Sequence, residues 1–208
     1  MYLPEHFAET RIDELHRLIR EQPLGALVRS TPQGLDADHI PFELDAARGP
    51  VGTLQAHVAR ANPLALPIGE GMEVLVIFRG HHGYISPNWY PSKHESHQQV
   101  PTWNYEVVHA HGRLRVLDDE KFVAGLLARL TRRHEAGEPR PWRMGDAPRD
   151  YLQERLRAVV GIEVEITRLE GKRKLSQNRE PRDIDGAVSV LRERGMEALA
   201  ESMARERR

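Results

Sequence analysis

"TWNYEVVHAHGRLRVL", Thr102 to Leu117, is the stretch on which the fold turns. It alternates through Val107, Ala110 and Leu114 with polar residues between, the pattern of a strand whose two faces meet different surroundings. Just before it, "YISPNWYPSKHESHQQVP" (Tyr84 to Pro101) crowds prolines, histidines, a tryptophan and a lysine together. Proline fixes φ and withholds a backbone donor, so Pro87 and Pro101 bound a stiff excursion between two strands that carries Trp89, Tyr90 and Lys93.

Upstream, "MEVLVIFRG" (Met72 to Gly80) is a nearly continuous apolar run that "HGYIS" extends or pairs with. Leu24–Thr31, Leu35–Leu44 and Val51–Ala59 are short apolar or alternating runs parted by Pro-Gln-Gly and Arg-Gly-Pro turns, the signature of antiparallel strands. Downstream, Ile162, Val164 and Ile166 alternate against Glu163, Glu165 and Thr167, which predicts a strand with one wet face. Six strands in a sheet that closes or nearly closes leave few exposed edges, with the Pro87–Pro101 excursion lying over the barrel mouth.

Helical spacing brackets the strands. Ile12, Leu15, Leu18 and Ile19 form a stripe within Glu9–Glu21; Phe122, Leu126, Leu127 and Leu130 form another, opened by Asp118 or Asp119. A polar, proline-bearing loop from Ala136 to Arg149 leads to a short helix over Tyr151–Val160. The end of the chain, about 180–208, reads as two short helices broken at Gly195. The expectation is a single α+β domain over residues 1–208 with these C-terminal helices attached.

With 39% hydrophobic and 29% charged residues and a net charge of −1, the chain of 208 residues is neither disordered nor drawn to nucleic acid by its bulk charge. The absence of cysteine excludes disulfides, thiolate nucleophiles and Cys-ligated metals. No basic start with an apolar run, and no window of membrane-spanning length, occurs, so a cytoplasmic location and no membrane partner are expected.

Among the 11 histidines, His81 and His82 are adjacent and would point to opposite faces of a strand, while His109 and His111 share a face. No carboxylate follows at helical metal-site spacing, and no metal is expected. Gly-x-Ser-x-Gly, Gly-x-Gly-x-x-Gly and Walker-type loops are all missing. Phosphate-holding side chains do gather in three places: His57, Arg60 and Asn62; Ser92 and Lys93; and the run Lys172, Arg173, Lys174, Ser176 and Gln177. Trp89, Tyr90, Trp103 and Tyr105 offer flat walls for an aromatic cofactor, with Thr102 and Asn104 as polar partners; the same rings would serve as a barrel cap or a subunit contact.

The ordered series "HIPF" (His39–Phe42), "HVARANP" (His57–Pro63), "YISPNWY" (Tyr84–Tyr90), "VPTWNY" (Val100–Tyr105) with "VHAHG" (Val108–Gly112), and "KLSQNR" (Lys174–Arg179) resembles the PaiB-like family of FMN-binding negative transcriptional regulators, the regulators of protease synthesis and sporulation. The resemblance runs from "MYLPEHF" to the final helices. It implies an FMN-binding split β-barrel, similar to the pyridoxamine-phosphate-oxidase-like fold, as a homodimer with flavin at the subunit interface. By that similarity phosphate recognition maps to Arg60, Lys93 and Lys174, and flavin ring or ribityl contacts to His39, Thr102, Trp103 and Asn104, beside His57, Asn62, Ser176 and Gln177.

What the resemblance implies for function is repression of transcription by a flavin-dependent or redox-linked dimer, with DNA as a possible partner. Set against this, the chain shows no clear helix-turn-helix, and its basic stretches (Arg129–His134, Lys172–Lys174, Arg205–Arg208) read more readily as solvated faces than as phosphate contacts. The alternatives on the same fold are an FMN-dependent oxidoreductase of small substrates, with no residue marked as catalytic, and a haem-binding or haem-degrading protein.

Overall fold

The structure, a computed structural model, describes residues 1–66 and 71–206. Its elements in chain order are β1 (Ala8–Glu9), α1 (Ile12–Glu21), β2 (Leu24–Thr31), β3 (Gly34–Pro41), β4 (Glu43–Asp45), β5 (Thr53–Ala59), β6 (Met72–Ile85), α2 (Pro91–Ser96), β7 (Thr102–Leu117), α3 (Glu120–Glu135), α4 (Arg149–Arg157), β8 (Val159–Lys174), α5 (Pro181–Glu193) and α6 (Glu197–Arg205). The described strands number eight where the sequence suggested six. The extra ones are short: β1 precedes the first helix, and the expected strand Leu35–Leu44 is split into β3 and β4 after Pro41, which has no N–H to continue a ladder. All described pairings are antiparallel.

By internal contacts the chain forms two compact units. The first, here the sheet unit, holds Ile19–Ile77 and Ala110–Leu169. Its strands follow the order β3-β2-β6-β7-β8-β5-β4. The β2–β3 hairpin is in register from Leu24 opposite Pro41 to Thr31 opposite Gly34, and β5 lies on β8 from Thr53 opposite Glu165 to Ala59 opposite Val159. Leu27, Phe42, Leu54, Leu114, Ile162 and Ile166 are buried at its centre. Asp119 caps α3, accepting from the N–H groups of Lys121 and Phe122, and the helix buries Val123 and Leu126. The expected wet face of β8 is wet only in part. Glu163 is buried, its carboxylate held by the Arg48 guanidinium and by the Gln55 amide at 2.7 Å. A strand pattern shows that a carboxylate faces away from Ile162 and Val164, but not that Gln55, opposite it on β5, and Arg48, in the connection before β5, supply it with donors.

The second, terminal unit holds Met1–Leu18, Phe78–His109 and Glu170–Arg208. There β1 pairs with the end of β8, Ala8 opposite Lys172. The buried side of β7 is Asn104, Glu106 and Val108, so Val107 lies on the other face, one residue out of step with the sequence reading. On β6 the burial alternation slips between Gly80 and Gly83, as at a β-bulge, leaving His81 half-buried and His82 exposed. Ile12, expected in the apolar stripe of α1, is 42% exposed.

The C-terminal pair α5 and α6, parted at Gly195 with φ +71°, packs into a core of Ile85, Tyr90, Leu175, Ile184, Leu191 and Met203. The proline-bounded excursion is docked on this pair. Pro87–Trp89 forms a 3-10 turn and Pro91–Ser96 a short helix. Asp183 accepts from the Ser92 N–H at 3.0 Å and its hydroxyl at 2.6 Å. A Cβ on Gly186 would sit 2.3 Å from the carbonyl oxygen of Trp89, so only glycine permits this approach. Tyr90, expected as an exposed wall, is fully buried. Among the described residues no helix is long and apolar enough to cross a membrane.

Candidate functional site

The expected site residues fall into two groups, one in each unit. In the terminal unit β7 begins and β8 ends side by side, bringing together Thr102, Trp103 and Lys174. The Lys174 ammonium donates to the Thr102 hydroxyl and to the carbonyl of Trp103 at 2.8 Å. Two of its three N–H bonds are thereby used and one is free for a ligand. Burial, and then the positive charges of Lys172 and Arg179, hold its pKa below the ordinary lysine value. Trp103 is 54% exposed. Its indole lies nearly parallel to the His82 ring at 6.5 Å and meets the half-exposed Tyr84 edge-on at 6.4 Å, and Tyr84 in turn meets Trp89 edge-on. These rings make an aromatic strip next to a cation.

Behind the strip the polar groups are buried. The Asn104 amide donates to the Ser176 hydroxyl at 2.9 Å, and that hydroxyl also shares a bond with the Tyr90 OH. The Asn104 side-chain oxygen is buried without a hydrogen-bond partner, an acceptor left open in a place where such groups are nearly always paired. Ser176 adopts a left-handed backbone with φ +70°. Gln177 holds that turn by accepting from the Leu175 N–H at 2.7 Å and donating to the Arg173 carbonyl at 2.6 Å. Lys93 is half-buried on α2.

The basic run preceding Ser176 is no solvated face. The Lys172 ammonium donates to the Tyr2 carbonyl and lies over the rings of Tyr2 and Tyr105. Arg173 is buried among Glu106, Glu206 and Glu9. Of the basic tail, Arg207 and Arg208 lie outside the described residues.

The group in the sheet unit is His39, His57, Arg60 and Asn62. His39 is exposed on β3 opposite Ala26. His57, on β5, has a buried Nδ1 without a partner, and burial pushes its pKa down, so it is a neutral imidazole at pH 7. Arg60 is already engaged. It donates to both oxygens of Asp118 at 2.7 and 2.8 Å and to the carbonyls of Arg157 and Val159, which leaves one N–H. Asn62 caps the 3-10 turn at Pro63–Ala65 through the Leu64 N–H and donates to Asp38.

A flavin mononucleotide asks for a cation or hydroxyl donors at its phosphate, a flat apolar wall for its ring and a few directional polar partners. In the terminal unit Lys174, Thr102 and Trp103 fit those demands. The single remaining N–H of Arg60 fits a phosphate poorly unless Asp118 gives way. Tyr84 and His82 are not among the expected site residues; the signal that marks them in the sequence is their place on the strand next to the excursion, two residues apart and outside the apolar alternation.

Residues 1–168 match the family model described as "Putative FMN-binding domain". The chain belongs to this FMN-binding domain family. Its cofactor, by that family, is FMN. Over nearly their whole lengths two curated relatives align with it: an uncharacterized protein of Aspergillus fumigatus, 34% identical over 95% of this chain and 93% of its own, and the protease synthase and sporulation protein PAI 2 of Bacillus subtilis, 30% identical over 92% and 89%. Solved structures of like fold include the flavocytochrome Anf3 from Azotobacter vinelandii (TM-score 0.57, 13% identity, 80% of this chain and 69% of that one) and an FAD and heme binding protein from Mycobacterium smegmatis (TM-score 0.55, 20% identity, 80% and 73%). The fold of this FMN-binding family member is accordingly α+β, the flavin-binding split barrel with flanking helices.

Proposed function

We propose that the chain is a cytoplasmic, FMN-binding homodimer of the PaiB-like regulator type, in which the flavin state sets a repressive action on transcription. The observation that carries the flavin part is the meeting of Lys174, Thr102 and Trp103: a cation with a donor to spare, beside an exposed indole in an aromatic strip. Bound FMN would supply reversible electron uptake. The chain's own residues would bind it, with Lys174 meeting an anionic oxygen, Trp103 covering one ring face and the Thr102 hydroxyl holding the ammonium in place. The regulatory part is supported by the similarity to the sporulation protein of Bacillus subtilis. Direct DNA contact through Lys172–Lys174 has no support, since Lys172 and Arg173 are buried.

The test is the absorbance spectrum of the freshly purified protein, an FMN titration, and gel shifts with and without FMN. Binding weaker than ~0.1 mM, about 5.5 kcal/mol, would remove the flavin role. DNA retention that is weak, indifferent to promoter sequence and unmoved by FMN would remove direct repression while leaving the flavin. A second reading, FMN-dependent electron transfer from a nicotinamide donor to a small acceptor, draws on the exposure of Trp103 and Tyr84, which leaves the strip open to a reactant. No anaerobic flavin reduction by NADH or NADPH in stopped flow would dispose of it.

A further inference from the structure

Within the sheet unit, a cleft of about 530 Å³ lies between the last turns of α3 and the loop that follows it. Its floor is the face of α3 bearing Ala128, Thr131, Arg132 and Glu135; its wall is the loop segment Pro141–Met144. The loop is held rather than merely lying there. The Trp142 N–H donates to the Glu135 carboxylate at 2.8 Å, the Glu138 N–H to the Glu135 carbonyl at 3.0 Å, and the Arg143 N–H to Asp146 at 2.8 Å. Pro141 restricts the residue before it and delivers Trp142 at a set angle. The indole is nonetheless 44% exposed.

Two guanidinium groups stand at this cleft, Arg132 and Arg143, and among the described residues neither has a hydrogen-bond or ionic partner. Against these two cations the lining carries one carboxylate, Glu135, which accepts from the loop N–H and keeps its charge, so the lining is net positive by one. A positioned indole, an apolar lining from Ala128, Pro141 and Met144, and two free forks suited to phosphate oxygens make one combined demand. The volume falls in the range of small-molecule sites, roughly 300–1,000 Å³.

From this we infer that the cleft beside Trp142 binds a planar heteroaromatic ring carrying a phosphate, with the ring on the indole and the phosphate on Arg132 and Arg143. A purine nucleotide and a flavin nucleotide share that chemistry, and the two are separated by experiment. The full-length protein is titrated with AMP, followed by tryptophan fluorescence and calorimetry, and with FMN, followed by flavin absorbance. Trp142→Ala and the double change Arg132→Ala/Arg143→Ala each weaken binding about tenfold or more, stacking and phosphate contacts being of that size. Arg149→Ala, outside the cleft, leaves it unchanged. AMP dependence on these residues with FMN untouched assigns a purine nucleotide and leaves the flavin site at Trp103 and Lys174 standing. FMN dependence on these residues and not on Trp103 or Lys174 assigns the flavin here and overturns the location given above. Absence of saturable binding of either probe up to ~1 mM, or affinity indifferent to both variants, overturns the inference. A Trp142→Ala change that alters the sedimentation coefficient without altering nucleotide affinity also overturns it, because a second copy then covers the cleft.

Discussion

Arg173→Met removes the cation around which the acidic side chains of the terminal unit are arranged. Arg173 Nε donates to Glu106 at 2.9 Å, and Nη1 meets Glu206 at 2.5 Å and Glu9 at 3.5 Å. These carboxylates are not equally dependent on it. Glu9 keeps its two bonds from the Arg11 guanidinium, and Glu206 sits near enough to water to rehydrate. Glu106, only 2% exposed, would keep a single bond, from the Ser202 hydroxyl at 2.9 Å. The loss is therefore that of one buried, uncompensated carboxylate, about 3–5 kcal/mol. With a urea slope of roughly 2 kcal/mol per molar, the unfolding midpoint followed by circular dichroism falls by about 1.5–2.5 M at unchanged slope. Adding Glu106→Gln to Arg173→Met recovers at least half of the loss, because the group left behind carries no charge. A single-variant loss under ~1 kcal/mol would refute the reasoning, showing that water reaches Glu106.

His57 has a folded-state pKa below its ordinary value because burial disfavours the cation. The unfolded chain therefore binds the proton more readily, and stability declines as pH falls below about 6.5, until the folded value is passed; His57→Gln flattens that acid-side slope in unfolding titrations. Lys174 also has a depressed pKa, so FMN affinity is lost as pH rises through that value toward ~10.5, and Lys174→Arg, charged throughout, removes the dependence. Trp103→Ala, with FMN affinity and dimerisation both measured, separates a ring wall from a subunit contact: about a tenfold drop in affinity with an unchanged dimer is the expected result. Gly186→Ala drives a methyl into the Trp89 carbonyl and costs about 2–3 kcal/mol, read as a lowered Tm.

The strands were legible because alternation reports a property of single side chains, namely which of two faces they occupy. The Thr102–Leu117, Met72–Gly80 and Ile162–Ile166 readings all landed on strands for that reason. Their partners were not legible. Nothing local in Glu163 announces Arg48 and Gln55, which lie more than a hundred positions away in sequence, and nothing in Lys172 and Arg173 distinguishes a pair withdrawn among aromatic rings and carboxylates from one facing water. The proline-bounded excursion was located by its prolines, yet its docking through Ser92 and Gly186 onto α5 depends on contacts that no short-range rule encodes. Likewise the spacing brought Arg60 forward as a phosphate ligand, and only the geometry shows Asp118 already on its guanidinium.

The turn after β8 carries a constraint of a different kind. With Ser176 left-handed and both ends of the Gln177 amide tied to the neighbouring backbone, its length is as specified as its sequence. One residue added between Lys174 and Asp183 would rotate α5 away from Ser92 and release Ser176 from Tyr90 and Asn104 together. Among homologues and in random-insertion libraries, variation in length should then collect in the loop between α3 and α4 and be purged from residues 175–180, so that the register of this one turn serves as a marker of chains able to hold the same site.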